Sequence, residues 1–214
     1  MIGGLKTYLP RLAEIVGSTP AALYERQRAL TRLGLLIPQA GRGPGSGIKL
    51  SADSVAVMVI SLMATENLSD VDERMVRLCN ARVLTGAEVV KRFRVQLQKE
   101  DDQTVIGTGT CAVTGARTFR QAIKALFADP SFSREGDRSI DLSVEQYRRA
   151  TISFFERAGK GRSTTFEVAS KRSGLALIVR QTLAGSDLVR IIADDLSALL
   201  PPNPESESKG REKS

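Results

Sequence analysis

The chain has 214 residues, of which 42% are apolar, 26% charged and only 5% aromatic, a composition that supports one or two packed units. It contains no histidine and no tryptophan, which excludes imidazole bases, Ser-His-Asp and Cys-His pairs and His-liganded zinc. The formal net charge is +7, and residues 1–50 hold much of it: Lys6, Arg11, Arg26, Arg28, Arg32, Arg42 and Lys49 against Glu14 and Glu25 alone. A cationic segment attracts polyanions.

No apolar run reaches the about 18 residues of a membrane span, and MIGGL at the start has neither the charged nor the apolar part of a secretion signal. A cytoplasmic, nucleoid-associated protein is expected. Cys79 and Cys111 stand outside any metal-ligand pair and read as small buried hydrophobes. No metal site, cofactor or catalytic constellation is legible, so an enzyme is not expected.

In chain order, Leu9, Leu12, Ile15 and Val16 have helical spacing, with Pro10 in the first turn and Gly17 as the stop. Thr19 then has the character of an N-cap, with Pro20 at the first helical position, and a second helix is predicted over 20–33. Leu23, Leu30 and Leu33 give it an apolar side, and Gly34 closes it. Leu35-Leu36-Ile37 and Ile48-Lys49-Leu50 flank the glycine-rich PQAGRGPGSG, which predicts a hairpin with a flexible tip over 38–50. That glycine run lacks the Gly-Lys-Ser/Thr ending of a phosphate loop.

Further helices are expected over 52–64, from about Ser69 (with Asp70, Asp72 and Glu73 in its first turn) and over 85–99. Residues 100–115 read as a linker or one weak strand. A helix is predicted over 117–128, then strands over 139–144, 151–156, 164–169 and 175–182, forming an antiparallel meander. The last helix, 186–200, has its stripe at Leu188, Ile191, Ile192, Leu196 and Leu199, and Pro201 stops it. Residues 201–214 read as a disordered tail. The expected fold class is therefore α+β: an N-terminal winged helix-turn-helix, a helical segment, and a C-terminal meander with flanking helices. The expected units are 1–99 for DNA binding with supporting helices, 100–115 as linker, 116–200 for oligomerisation or effector binding, and 201–214 as tail.

Helix, tight turn, second helix and glycine-tipped hairpin suit duplex DNA, because a helix about 10–12 Å wide fits the major groove. Tyr24, Arg28 and Arg32 lie at i, i+4 and i+8 on the second helix, flanked by Glu25 and Gln27. Arginine pairs with guanine, glutamine with adenine, and tyrosine donates to phosphate. Arg42 and Lys49 fall in the wing, and Ser18 and Thr19 lie near the helix N-terminus, suited to phosphate. A solvated basic face is the plain alternative for the stripe. Arg148-Arg149 and Lys171-Arg172 read as strand-edge charges, and Asp194-Asp195 as a solvated helix face.

Residues 9–78 resemble the DNA-binding domain of the MerR-type transcriptional regulators. The resemblance rests on AEIVGSTPAALYE (Ala13–Glu25), GLLIP (Gly34–Pro38), GRGPGSGIKLSADSVA (Gly41–Ala56) and ENLSDVDERM (Glu66–Met75). It implies that Thr19, Tyr24, Arg26 or Arg28, and the wing residues Arg42, Ser46 and Lys49 face DNA. The function expected is a sequence-specific, double-stranded-DNA-binding transcriptional regulator acting as a dimer or higher oligomer. The alternative is a phage or mobile-element packaging or partition protein resembling a terminase small subunit.

Overall fold

The computed structural model describes residues 3–39, 47–65, 67–83, 109–134, 138–145, 149–156, 161–168 and 181–200. Within them the chain is α+β, with helices dominating the first half and an antiparallel sheet the second. The expected helix over 85–99, residues 100–108 of the expected linker, the wing tip 40–46, Arg148, Lys171-Arg172 and the tail 201–214 lie outside the described residues.

Helix α1 spans Leu5–Val16, so it begins four residues before the expected start at Leu9. Leu5, Tyr8, Leu9, Leu12 and Ala13 form its buried stripe, and that continuous stripe outweighs Pro10, which lies within the helix on its exposed side. Gly17 closes α1 in the left-handed region at φ 64°, where a Cβ would be strained. Helix α2 spans Pro20–Arg32, and Thr19 caps it by accepting from the Ala22 backbone N–H at 3.2 Å. Gly34, at φ 70°, turns the chain away.

The segments after α2 and before α3 (Ala52–Ala64) meet as a narrow ribbon. Pro38 bridges Ile48, the Gln39 N–H donates to the Gly47 carbonyl at 2.9 Å, and Lys49 bridges Gly4 ahead of α1. Ser51 and Ser54 cap α3 reciprocally. The helix expected near Ser69 starts later. Leu68–Asp70 is a 3₁₀ turn, and Asp72 caps α4 (Glu73–Cys79) through the Arg74 N–H.

Strand β1 is Arg82–Val83. Helix α5, Phe119–Ala128, is capped by Thr118, and a single helical turn at Ser131–Arg134 follows it. Strands β2 (Arg138–Glu145), β3 (Arg149–Glu156), β4 (Gly161–Glu167) and β5 (Gln181–Ala184) precede α6 (Ser186–Leu199). The sheet order is β1-β4-β3-β2-β5, with all pairs antiparallel. The meander thus holds for β2, β3 and β4; residues 175–180 of the expected fourth strand lie outside the described residues, and β5, from Gln181, pairs with β2. Arg149 lies on the central strand, not an edge, and its guanidinium bonds Glu167 across the ladder at 3.1 Å.

One sheet face is apolar and carries Ile140, Leu142, Val144, Ala150, Ile152, Phe154 and Phe166, covered by α3 and α6. Helix α3 also packs on α5, and the buried side chains of both halves form one continuous cluster. The buried side of α6 is Val189, Ile192, Ala193 and Leu196, with Leu199 53% exposed. Its stripe is therefore rotated from the one read in the sequence. Asp195 is not a solvated face residue either. It accepts from Arg11 Nε at 2.8 Å and from the Tyr8 hydroxyl at 3.3 Å, joining α6 to α1. Burial, then the Asp195 carboxylate, pushes the Tyr8 hydroxyl above its ordinary range.

Candidate nucleic-acid interface

Helix α2 is held by Leu23, Arg26, Ala29 and Leu30, all buried, on the side that meets α3. Tyr24, Glu25, Arg28 and Arg32 occupy the opposite, solvent-facing side. At about 1.5 Å per residue, the helix presents a rod roughly 20 Å long with two guanidinium groups and a phenol along one line.

The Arg28 guanidinium donates to both Glu25 carboxylate oxygens, at 3.0 and 3.1 Å, and the pair is well exposed. Tyr24 is 37% exposed, and its ring lies under the Lys6 ammonium at 5.2 Å from the centroid. The bridge between Gly4 and Lys49 brings exposed Lys49 to the same end of α1 as Lys6. Arg28 and Arg32 thus line the open side of α2 with Tyr24, Lys6 lies against Tyr24, and exposed Lys49 stands at the start of α1.

Lys6 belongs to the cationic segment read in the sequence but not to the contact residues expected from it. Once α1 extends back to Leu5, Lys6 becomes part of the helix and comes beside Tyr24. The continued spacing from Leu5 to Leu9 and Leu12 was the available signal.

Two expected contact residues are repositioned by the structure. Arg26 is only 6% exposed, and its Nη1 donates to the Ser61 carbonyl of α3 at 2.9 Å. It lies three residues after Leu23 and four before Leu30, so it belongs to the inner face. Gln27 is half-buried at the flank of that face, with Oε1 shielded from solvent and without a hydrogen-bond partner. It does not present a free donor–acceptor pair to a base.

Ser18 is half-buried at the turn, and Thr19 is exposed with its oxygen committed to the cap. The Thr19 hydroxyl hydrogen is not used by that cap and can be donated outward. Arg42 and Ser46 lie outside the described residues.

The face is supported from behind. Arg120 on α5 reaches both Asp53, in the first turn of α3, and the Leu35 carbonyl at 3.2 Å, just past the end of α2. The exposed side of α2 is therefore carried on a frame of α3 and α5. Among the described residues, no group of His, Cys, Asp and Glu side chains is placed to hold a metal ion, and no helix is long and apolar enough to cross a membrane. Compared with protein families, characterised proteins and solved structures, the chain matches none.

Proposed function

We propose that this chain is a sequence-specific double-stranded-DNA-binding transcriptional regulator, acting as a dimer or higher oligomer. Helix α2 enters the major groove, in the manner of a winged helix-turn-helix of MerR type, and the ribbon before α3 follows the flanking backbone or minor groove. The observation that carries this reading is the division of α2: Leu23, Arg26, Ala29 and Leu30 are buried, while Tyr24, Arg28 and Arg32 remain open, with Lys6 against Tyr24. Arginine on a groove-sized helix can read guanine, and the two lysines supply phosphate contacts that position it.

Selection of bound sequences from a random duplex pool tests the proposal. The expected result is an enriched motif, with half-sites spaced by about one helical turn if a symmetric dimer binds. Binding that enriches no sequence, or no binding at low salt, overturns it.

A further inference from the structure

The sheet face turned away from the core has a charge order that is complementary to itself. Across one row the strands present Arg82 on β1, Glu167 on β4, Arg149 on β3 and Glu145 on β2, each the registered neighbour of the next. The signs alternate plus, minus, plus, minus. Further along the strands Thr151 and Thr165 lie 3.3 Å apart, and Ser153 and Ser163 3.4 Å, each pair sharing a hydrogen bond, with the exposed Asp141 of β2 beside Ser153. These hydroxyls already have partners, which lowers the cost of covering them. Beyond them Phe155 is 47% exposed, and its ring lies over Gly161 of β4, where an added Cβ would come within 3.1 Å of the ring.

We infer that this face docks onto the same face of a second copy of the chain. The two-fold axis would run parallel to the strands, midway between β3 and β4. That rotation reverses the strand order, so β3 lies over the partner's β4 and β2 over the partner's β1. The row is then matched in sign: Glu145 faces the partner's Arg82, and Arg149 comes over the partner's Glu167, whose side chain is 9% exposed and already paired with Arg149 of its own protomer at 3.1 Å. Because the Phe155 ring leans from β3 across Gly161, the two rings converge on the axis, as an isologous contact requires. A shift of one strand in either direction would set like charges against each other, which disfavours other registers.

With strands about 4.8 Å apart and about 3.4 Å per residue, β2, β3, β4 and the two-residue β1 cover about 400 Å² on each protomer. The total of about 800 Å² lies at the low end, among transient interfaces. The dimer should therefore be concentration-dependent, strengthened when both copies sit on one ligand. This inference does not depend on the DNA reading, and its test contains no DNA.

The test is sedimentation velocity of the full chain from low to high micromolar concentration, with circular dichroism to verify folding. Wild-type protein should pass from monomer to dimer. Phe155→Asp, which puts two carboxylates on the axis, should weaken association about tenfold or more. Arg82→Glu alone and Glu145→Arg alone should each weaken it, because like charges then face each other in the homodimer. An equimolar mixture of the two should recover the dimer, since only the heterodimer restores both pairs, and a variant that simply fails to fold would not be rescued in this way. A wild-type chain that stays monomeric, a dimer indifferent to Phe155→Asp, or a mixture that does not recover overturns the inference.

Discussion

Arg120 and Asp53 form a two-pronged ion pair, with Nε donating to Oδ1 at 2.9 Å and Nη2 to Oδ2. It joins α5 to the first turn of α3, where a carboxylate also complements the helix dipole. The Arg120 hydrogen bonds hold the Asp53 carboxyl below the ordinary carboxylate range, more strongly than partial burial raises it. A depressed carboxyl pKa stabilises the fold above the unfolded-state value near 4, and that contribution is lost as pH falls through the folded value. Asp53→Asn should therefore cost about 1 kcal/mol at neutral pH, a figure kept small because both side chains are partly exposed. Urea unfolding should show the cost vanishing at acid pH. An equal deficit at both pH values would mean that packing, not charge, holds the two helices together here.

Arg26 and Arg28 sit two residues apart on α2 and should behave in opposite ways. Arg26→Ala removes a buried charge-assisted bond to the Ser61 carbonyl, at a cost of about 2–3 kcal/mol in unfolding free energy. Arg28→Ala removes an exposed pair with Glu25 and should leave stability within about 0.5 kcal/mol. On a selected duplex, Arg28→Ala should cost about 1–3 kcal/mol of binding, with a smaller loss on random duplex. Equal losses on the two duplexes would mean that Arg28 touches phosphate and reads no base.

Lys6 and Lys49 should contribute to binding without regard to sequence. Replacing either with alanine is expected to weaken selected and random duplexes alike. It should also reduce the slope of log K against log salt by about 0.9 for each phosphate that is no longer neutralised. Fluorescence-anisotropy titrations over a salt series measure both quantities. An unchanged slope for the double variant would remove these lysines from the interface.

What the sequence disclosed was mainly local. Caps act within three residues, so Thr19-Pro20 marked the start of α2 at the residue where the structure has it, and α3 begins at Ala52 as expected. Alternation across β2 and β3 was equally legible, because one face of those strands is apolar and the other polar. Pairing between distant segments was not. Strand β1 is two residues long and contributes no pattern, and β5 joins β2, not its nearer neighbour in sequence. Arg26 was misplaced by residue type. Its spacing put it with the leucines, but a guanidinium on the inner face is stable only because Ser61 supplies an acceptor from α3. Asp195 was obscure for the same reason, since Tyr8 and Arg11 are more than 180 residues away.

Thr19 separates capping from DNA binding. Its oxygen accepts from the Ala22 N–H, and Thr19→Ala should cost about 1 kcal/mol of stability through loss of the cap. Thr19→Asp keeps an acceptor there and adds a charge favoured at a helix N-terminus, so stability should be retained or slightly raised. The same carboxylate would repel phosphate, and duplex affinity should fall although the fold is intact. If Thr19→Asp binds duplex as tightly as the natural chain, the N-terminus of α2 does not approach the backbone.

Cys79 should report on the integrity of the core. It is buried at the end of α4, and burial pushes its thiol up to about 12, with Asp53 adding to the rise and Arg120 opposing it. Only the thiolate attacks a disulfide or maleimide reagent, so at neutral pH Cys79 is both shielded and protonated. Cys111 is buried as well. Native protein should therefore label slowly at both cysteines, and labelling should accelerate together with loss of structure as urea is added. In Asp53→Asn, where the acceptor of the Arg120 pair is altered, labelling of Cys79 should speed up before that of Cys111 if α3, α4 and α5 loosen locally. Rapid labelling of Cys79 in the untreated natural chain would show that the α3–α4–α5 junction is open, and would remove the frame on which the exposed side of α2 is carried.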